Sequence, residues 1–126
     1  MSEGLSKKLR YKQGRATVIN APKGYSLDID TENTLEGTFD FVQVFVLNAE
    51  EVTEWLPKVI LSLNDDAVFW ICYPKQSSKI KTDINRDIIW RMVLDMSDYR
   101  LVSNVSIDET WSALRCRHQD KVKTKS

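Results

Sequence analysis

Two spacings of apolar residues recur along the chain, and each predicts one type of element. Residues 39–47 and 67–73 are dense apolar runs with many aromatic and β-branched side chains, which is typical of strands buried on both faces. Between them, apolar residues recur as they do along one face of a helix. They are Val52, Trp55, Leu56, Val59, Ile60 and Leu63. The pattern predicts a strand, a helix and a second strand, and such a crossover requires parallel strands.

Polar residues at the ends of these runs indicate where the helices begin and end. Asn48 precedes the helical stripe and Glu51 follows three residues later, which is the spacing of a capping box. Residues 64–66 are expected to close this helix. Asp83 is expected to cap a second helix, because the apolar residues of segment 84–96 again recur with helical spacing.

The remaining apolar runs predict the rest of a sheet. Residues 16–20 are short and β-branched, and they predict a first strand. Residues 101–107 and 111–117 alternate between apolar and polar, as the two strands of an antiparallel hairpin do. The order of elements predicts an α/β fold. It is expected to be a three-layer sandwich with a mostly parallel, Rossmann-like sheet of about five strands that ends in the hairpin.

A length of 126 residues predicts a single domain. A loose basic arm is expected over residues 1–12, and a basic tail over residues 119–126. No apolar run reaches the length of a signal peptide or a membrane span, which favours a cytoplasmic protein without membrane contact. Cys72 and Cys116 lie in apolar strands, where reduced and buried thiols are the usual state.

Charge is balanced overall but segregated along the chain. The sequence has 18 basic and 18 acidic residues and a formal net charge of zero. Residues 1–25 sum to +5, residues 26–66 to −9 and residues 67–126 to +4. Because the total is zero, the composition gives no general argument for binding nucleic acid or anionic membranes. A local anion site remains open.

Common catalytic and cofactor motifs are missing from the sequence. It has no G-x-G-x-x-G, G-x-x-x-x-G-K-[ST], G-x-S-x-G or H-E-x-x-H pattern, and it has a single histidine. We therefore expect no cofactor, no metal and no catalytic residue. A small transferase or hydrolase is the least favoured function, because no nucleophile and base can be paired from these residues.

The loop after the second buried strand is the strongest candidate binding site. It follows a parallel strand and precedes a capped helix, which is where α/β sheets place ligands. Its hydroxyl and cationic groups would suit a small anionic molecule, and Asn20 ends a neighbouring strand at the same edge. The predicted ligand-binding residues are Asn20, Lys75, Ser77, Ser78, Lys79 and Arg86. The alternative is a solvated basic connection without a ligand.

Two tryptophans favour a second function, namely protein interaction or homodimerisation. Trp90 lies to one side of the second helical stripe, and Trp111 begins a strand next to a turn. Aromatic anchors at such positions are enriched in interfaces. Asp108 and Arg115 are assigned to the same interaction surface, although these two residues could equally form a structural ion pair.

Five strings together resemble an uncharacterised family of small bacterial α/β proteins. They are INAP at 19–22, WICYPK at 70–75, SSK at 77–79, NRDIIW at 85–90 and IDETWSALR at 107–115. The resemblance implies a Rossmann-like domain of unknown function, and it brings no assigned reaction or cofactor. It also implies a shared pocket or salt-bridge network among the polar members of the strings. These are Asn20, Lys75, Ser77, Ser78, Arg86, Asp108 and Arg115.

Overall fold

The computed structural model describes residues 5–12, 14–25, 27–75 and 80–121. From residue 16 onward the elements follow the predicted order of strands and helices, whereas the short helix at Leu5–Lys8 was not predicted. In chain order they are α1 (Leu5–Lys8), β1 (Ala16–Ile19), β2 (Phe39–Phe45), α2 (Ala49–Ile60), β3 (Leu63–Pro74), α3 (Arg86–Met96), β4 (Tyr99–Ser106) and β5 (Trp111–His118), followed by a 3₁₀ turn at Gln119–Lys121. None of the helices in the described residues is long and apolar enough to span a membrane.

The five strands form one mixed sheet in the order β1-β2-β3-β5-β4. β1, β2 and β3 pair in parallel, while β5 pairs antiparallel with both β3 and β4. β4 therefore runs in the same direction as β3, with β5 inserted between them. The expectations of an α/β fold, a parallel group of strands and a C-terminal antiparallel hairpin are confirmed.

The start of α2 is confirmed and its end is corrected. Asn48 accepts a hydrogen bond from the Glu51 amide at 2.9 Å, and the Glu51 carboxylate accepts one from the Leu47 amide at 2.8 Å. Residues 64–66 do not close the helix, because they belong to β3. The Ser62 carbonyl accepts the Phe39 amide at 2.8 Å, so the chain joins the sheet directly after the helix.

The cap of α3 is Asn85 and not Asp83. The Asn85 side chain accepts the Ile88 amide at 2.9 Å, which places the first helical residue at Arg86. Asp83 instead accepts the amide of Ala49, the first residue of α2, at 2.8 Å. Asp83 thus connects the start of α2 to the loop before α3. The Ala49 amide is available for this bond because the first amides of a helix have no partner within the helix.

Side chains of alternate residues pack on opposite faces of the sheet. The apolar side chains on the face covered by α2 and α3 form what we call the helix-side cluster. Those on the opposite face form the loop-side cluster. The helix-side cluster contains Val42, Val44, Val52, Leu56, Val59, Phe69, Ile71, Ile89, Val93 and Leu114. The loop-side cluster contains Leu9, Leu27, Phe41, Phe45, Trp70, Cys72, Trp111 and Ala113. Both long helices therefore pack on the same face.

The N-terminal segment is docked where a loose arm was expected over residues 1–12. Leu9 is fully buried in the loop-side cluster, and its carbonyl accepts the indole N–H of Trp70 at 2.8 Å. The Tyr11 ring packs edge-on against Phe41 with 5.7 Å between centroids. A short, largely basic stretch with few apolar residues gives little periodic signal, which explains the error. Residues 1–4 lie outside the described residues.

Two carboxylates fasten the acidic segment between β1 and β2. The Arg15 guanidinium donates to both oxygens of Glu32, at 2.7 and 2.9 Å, and lies over the Phe39 ring. The Asp28 carboxylate accepts the amide and hydroxyl of Ser6 at 2.8 and 2.9 Å. The segment is thereby connected both to the sheet and to the N-terminal residues.

Acid is expected to weaken the fold through these two carboxylates. Hydrogen bonds from Ser6 lower the pKa of Asp28, and those from Arg15 lower the pKa of Glu32. Each group therefore stabilises the fold above its unfolded pKa of about 4, and that contribution is lost as pH falls through the folded pKa. The urea midpoint should fall on acidification, and it should fall less in Asp28→Asn. Asp30→Asn, in the same segment, is the matched control for the loss of one negative charge.

Candidate functional site

A polar cleft of about 450 Å³ opens at the carboxyl end of β3, on the helix side of the sheet. It lies between the start of α3 and strands β3, β4 and β5. Its lining residues are Tyr73, Lys75, Asn85, Arg86, Asp87, Asn104 and Ser112. The cleft is thus at the sheet edge where the sequence predicts a binding site, and it contains two of the predicted cations.

The antiparallel hairpin forms the floor of the polar cleft. Tyr73 is paired with Ser112 across β3 and β5, and Ser112 is paired with Ser106 across β5 and β4. The Lys75 ammonium donates to the Ser106 hydroxyl at 2.6 Å, and the Lys75 amide donates to the Thr110 carbonyl at 2.7 Å. These bonds hold the lysine over the hairpin and place its charge at the edge of the cleft.

The first residues of α3 form the opposite wall. The Asn85 cap fixes the start of the helix, so Arg86 and Asp87 project from its first turn. Both side chains are exposed, and the guanidinium Nε lies 3.8 Å from the Asp87 carboxylate. Among the described residues, the lining therefore carries two cations, Lys75 and Arg86, and one carboxylate, Asp87. The local excess of one positive charge favours a small anion over a cation.

Other predicted binding residues do not join Lys75 and Arg86. Asn20 follows β1, two strands away from β3, and is not among the residues that line the polar cleft. Its φ of +61° is left-handed, a conformation that asparagine adopts more readily than most residues. Ser77, Ser78 and Lys79 lie outside the described residues.

The predicted interaction residues are distributed over different parts of the fold. Trp90 is 49% exposed on α3. The expected exposure of Trp111 is not observed, because its ring packs against Phe45 at 5.0 Å and only 7% of the residue is accessible. Asp108 shapes the β4–β5 turn by accepting the amides of Thr110 and Trp111, each at 2.8 Å. Arg115 lies between Leu114 and Cys116 on β5, and both of these belong to the helix-side cluster. Because side chains alternate along a strand, Arg115 lies on the loop side of the sheet.

Five lining residues were missed from the sequence: Tyr73, Asn85, Asp87, Asn104 and Ser112. Asn85 could have been found as an alternative helix cap two residues after Asp83. Asn104 and Ser112 reach the cleft only because β5 lies between β3 and β4. Strand order of this kind leaves no local signal in the sequence.

An apolar groove of about 420 Å³ adjoins the polar cleft. It runs between α3 and β4, and Trp90, Leu101, Val102 and Leu114 supply its apolar walls. Its other lining residues are Arg86, Asp87, Ser103 and Asn104. Arg86, Asp87 and Asn104 line both spaces, so the groove continues directly from the cleft.

The two cysteine thiols have the properties of core residues. Cys72 and Cys116 are fully buried, and burial raises the pKa of each thiol well above its ordinary value. A protonated thiol is a poor nucleophile and a poor metal ligand. Within residues 5–12, 14–25, 27–75 and 80–121, no group of three or more His, Cys, Asp or Glu side chains converges as a metal site would require.

Comparison with known proteins assigns no family to the chain. No protein-family model matches it, and neither a curated protein nor a solved structure matches it. The resemblance of its short strings to an uncharacterised bacterial family therefore stays a prediction.

Proposed function

We propose that the protein is a binding or regulatory module for a small anionic molecule, held in the polar cleft at the carboxyl end of β3. One observation carries the proposal: Lys75, which directly follows β3, and Arg86, the first residue of α3, line the same cleft. Hydrogen-bond donors from Tyr73, Asn104 and Ser112 surround them. Charge-assisted hydrogen bonds from lysine and arginine are the strongest that an anion can receive from side chains.

We also propose that the fold is a three-layer Rossmann-like sandwich and that the chain belongs to the uncharacterised bacterial family. The three layers of a Rossmann-like sandwich would be α2 with α3, the sheet, and the N-terminal layer that contains α1. Membership in the uncharacterised bacterial family would be consistent with a binding role that has no assigned reaction. A cytoplasmic location would give the cleft access to phosphorylated metabolites.

Replacing Arg86 with glutamine is expected to weaken anion binding about tenfold, the usual effect of losing one charge-assisted hydrogen bond. Isothermal titration with inorganic phosphate measures the change. Arg91→Gln is the matched control, because Arg91 is exposed on the same helix and does not line the polar cleft. Equal affinities of wild type, Arg86→Gln and Arg91→Gln would contradict the proposal.

A thermal-shift screen widens the search for the anion. Nucleotides, sugar phosphates and acyl carriers are suitable probes, because a molecule that binds only the folded state raises the melting temperature. A true ligand of the polar cleft should give a shift that Arg86→Gln reduces and Arg91→Gln does not.

Homodimerisation is the second candidate function, and the exposure of Trp90 supports it. Trp90 lines a groove together with Leu101 and Val102 of β4, which is an edge strand of the sheet. Edge strands carry backbone groups that can pair with another chain. Light scattering at high protein concentration tests this function, and a monomeric mass would remove it.

A further inference from the structure

The polar cleft and the apolar groove form one continuous surface with two different chemistries. At one end Lys75 and Arg86 supply positive charge, and at the other Leu101, Val102 and Leu114 supply apolar walls. Arg86 lies at the junction and lines both spaces. Each space has a volume in the range of small-molecule sites, which combine apolar walls with a few placed polar groups.

The apolar groove exposes side chains that folding would ordinarily bury. Trp90 is 49% and Val102 is 38% exposed, and both line the groove. The described residues include three other large apolar side chains with comparable or greater exposure, Leu47, Leu61 and Ile88, none of which lines it. Covering Trp90 and Val102 with an apolar group would remove their surface from water, which is favourable in proportion to area.

The charge of the residues that line the polar cleft indicates which polar group the ligand carries. Lys75 and Arg86 carry two positive charges and Asp87 carries one negative charge, so the described lining residues have an excess of one positive charge. A single anionic group balances that excess. A purely apolar ligand would leave the excess positive charge of the cleft unbalanced.

We propose that the ligand is an amphipathic anion: a phosphate or carboxylate head binds in the polar cleft, and an apolar body lies in the groove between α3 and β4. This inference rests on the proposed function and adds the class of molecule. The head contacts Lys75 and Arg86, and the body covers Trp90 and Val102. A free metabolite anion without an apolar body would use only half of the continuous surface.

Titration of the full chain with three probes tests the inference. Inorganic phosphate represents the head, 1-hexanol the body, and hexyl phosphate both. The Kd of hexyl phosphate should be at least about tenfold lower than that of inorganic phosphate. Even partial burial of the six carbon groups of the hexyl chain contributes more free energy than a tenfold change in Kd requires. It should also be lower than that of hexanol, since the alcohol has no charge for the cations.

Two variants of the groove and one control locate the apolar body. Val102→Glu introduces a carboxylate into the groove and should remove the advantage of hexyl phosphate over inorganic phosphate. Trp90→Ala, at a half-exposed helical position, should reduce the same advantage and provides an independent check on folding effects. Leu61→Glu should change neither affinity, because Leu61 is 83% exposed and lies outside both spaces.

The outcomes separate this inference from the proposed function. Phosphate binding that depends on Arg86, with no gain for hexyl phosphate, would overturn the amphipathic ligand and leave the anion site standing. Failure of phosphate and hexyl phosphate alike would overturn both. Equal binding of hexanol and hexyl phosphate would overturn the role of the head group. A dimer that Val102→Glu dissociates would show that a second copy of the chain occupies the groove.

Discussion

Replacing Leu9 with alanine is expected to lower the free energy of unfolding by about 2–5 kcal/mol, as truncation of a buried leucine usually does. Leu9 is fully buried, and it packs in the loop-side cluster with Phe41 and Trp70. The truncation removes apolar contacts and leaves a cavity between the N-terminal segment and the sheet. Since small domains are stable by about 5–15 kcal/mol, the loss would be a large part of the total.

Urea denaturation followed by circular dichroism measures the effect, and Leu61→Ala is its matched control. Leu61 is 83% exposed at the end of α2, so its truncation should change stability by less than about 0.5 kcal/mol. Similar midpoints for Leu9→Ala and Leu61→Ala would show that the N-terminal segment does not pack on the sheet in solution.

The region from β2 to β3 was the most predictable part of the fold. Its strands are dense apolar runs, and α2 has both a regular stripe and a capping residue, so periodicity and local chemistry indicate the same elements. Asn48 performs the capping role that its spacing with Glu51 predicts. Errors of a few residues occur at the ends, where residues 64–66 belong to β3 and lie between Leu63 and Val68, both of which pair with β2.

Docking of the N-terminal segment could not be predicted from local pattern. Residues 1–12 are mostly polar and basic, and their few apolar residues do not define a long buried face. The burial of Leu9 depends on Trp70, which is distant in sequence. The indole N–H of Trp70 requires a buried acceptor, and the Leu9 carbonyl provides it. Such a contact is created by the tertiary fold, so it has no periodic signature.

The candidate site was predictable in position and only partly in composition. The general rule that ligands bind at the carboxyl ends of parallel strands led to Lys75 and Arg86. Asn104 and Ser112 come from the hairpin, which reaches the cleft because β5 pairs with β3. The adjoining apolar groove likewise depends on how α3 lies over β4. Residue chemistry predicted the charge of the site, whereas strand order determined its shape.

Tyr25→Phe is expected to destabilise the fold by about 1–3 kcal/mol, the usual penalty for leaving a buried polar atom without its partner. The Tyr25 hydroxyl donates to the side-chain oxygen of Gln43 at 2.8 Å, and Gln43 is fully buried in the middle of β2. The Gln43 amide also donates to the Cys72 sulfur at 3.2 Å, so the side chain is held at both ends. Phenylalanine retains the ring and its edge-on contact with Phe45, and removes only the donor.

A double-mutant cycle distinguishes a lost hydrogen bond from altered packing. In Tyr25→Phe/Gln43→Leu both partners are apolar, so the buried oxygen is gone and the double variant should be more stable than Tyr25→Phe alone. Tyr11→Phe is the control, since the Tyr11 hydroxyl donates to the Gly14 carbonyl at an exposed site, and its loss should change stability by less than about 0.5 kcal/mol. Strictly additive effects of the Tyr25 and Gln43 substitutions in urea denaturation would show that the two side chains do not interact. Non-additive effects would establish that Tyr25 connects the segment after β1 to the sheet through a polar contact within the otherwise apolar loop-side cluster.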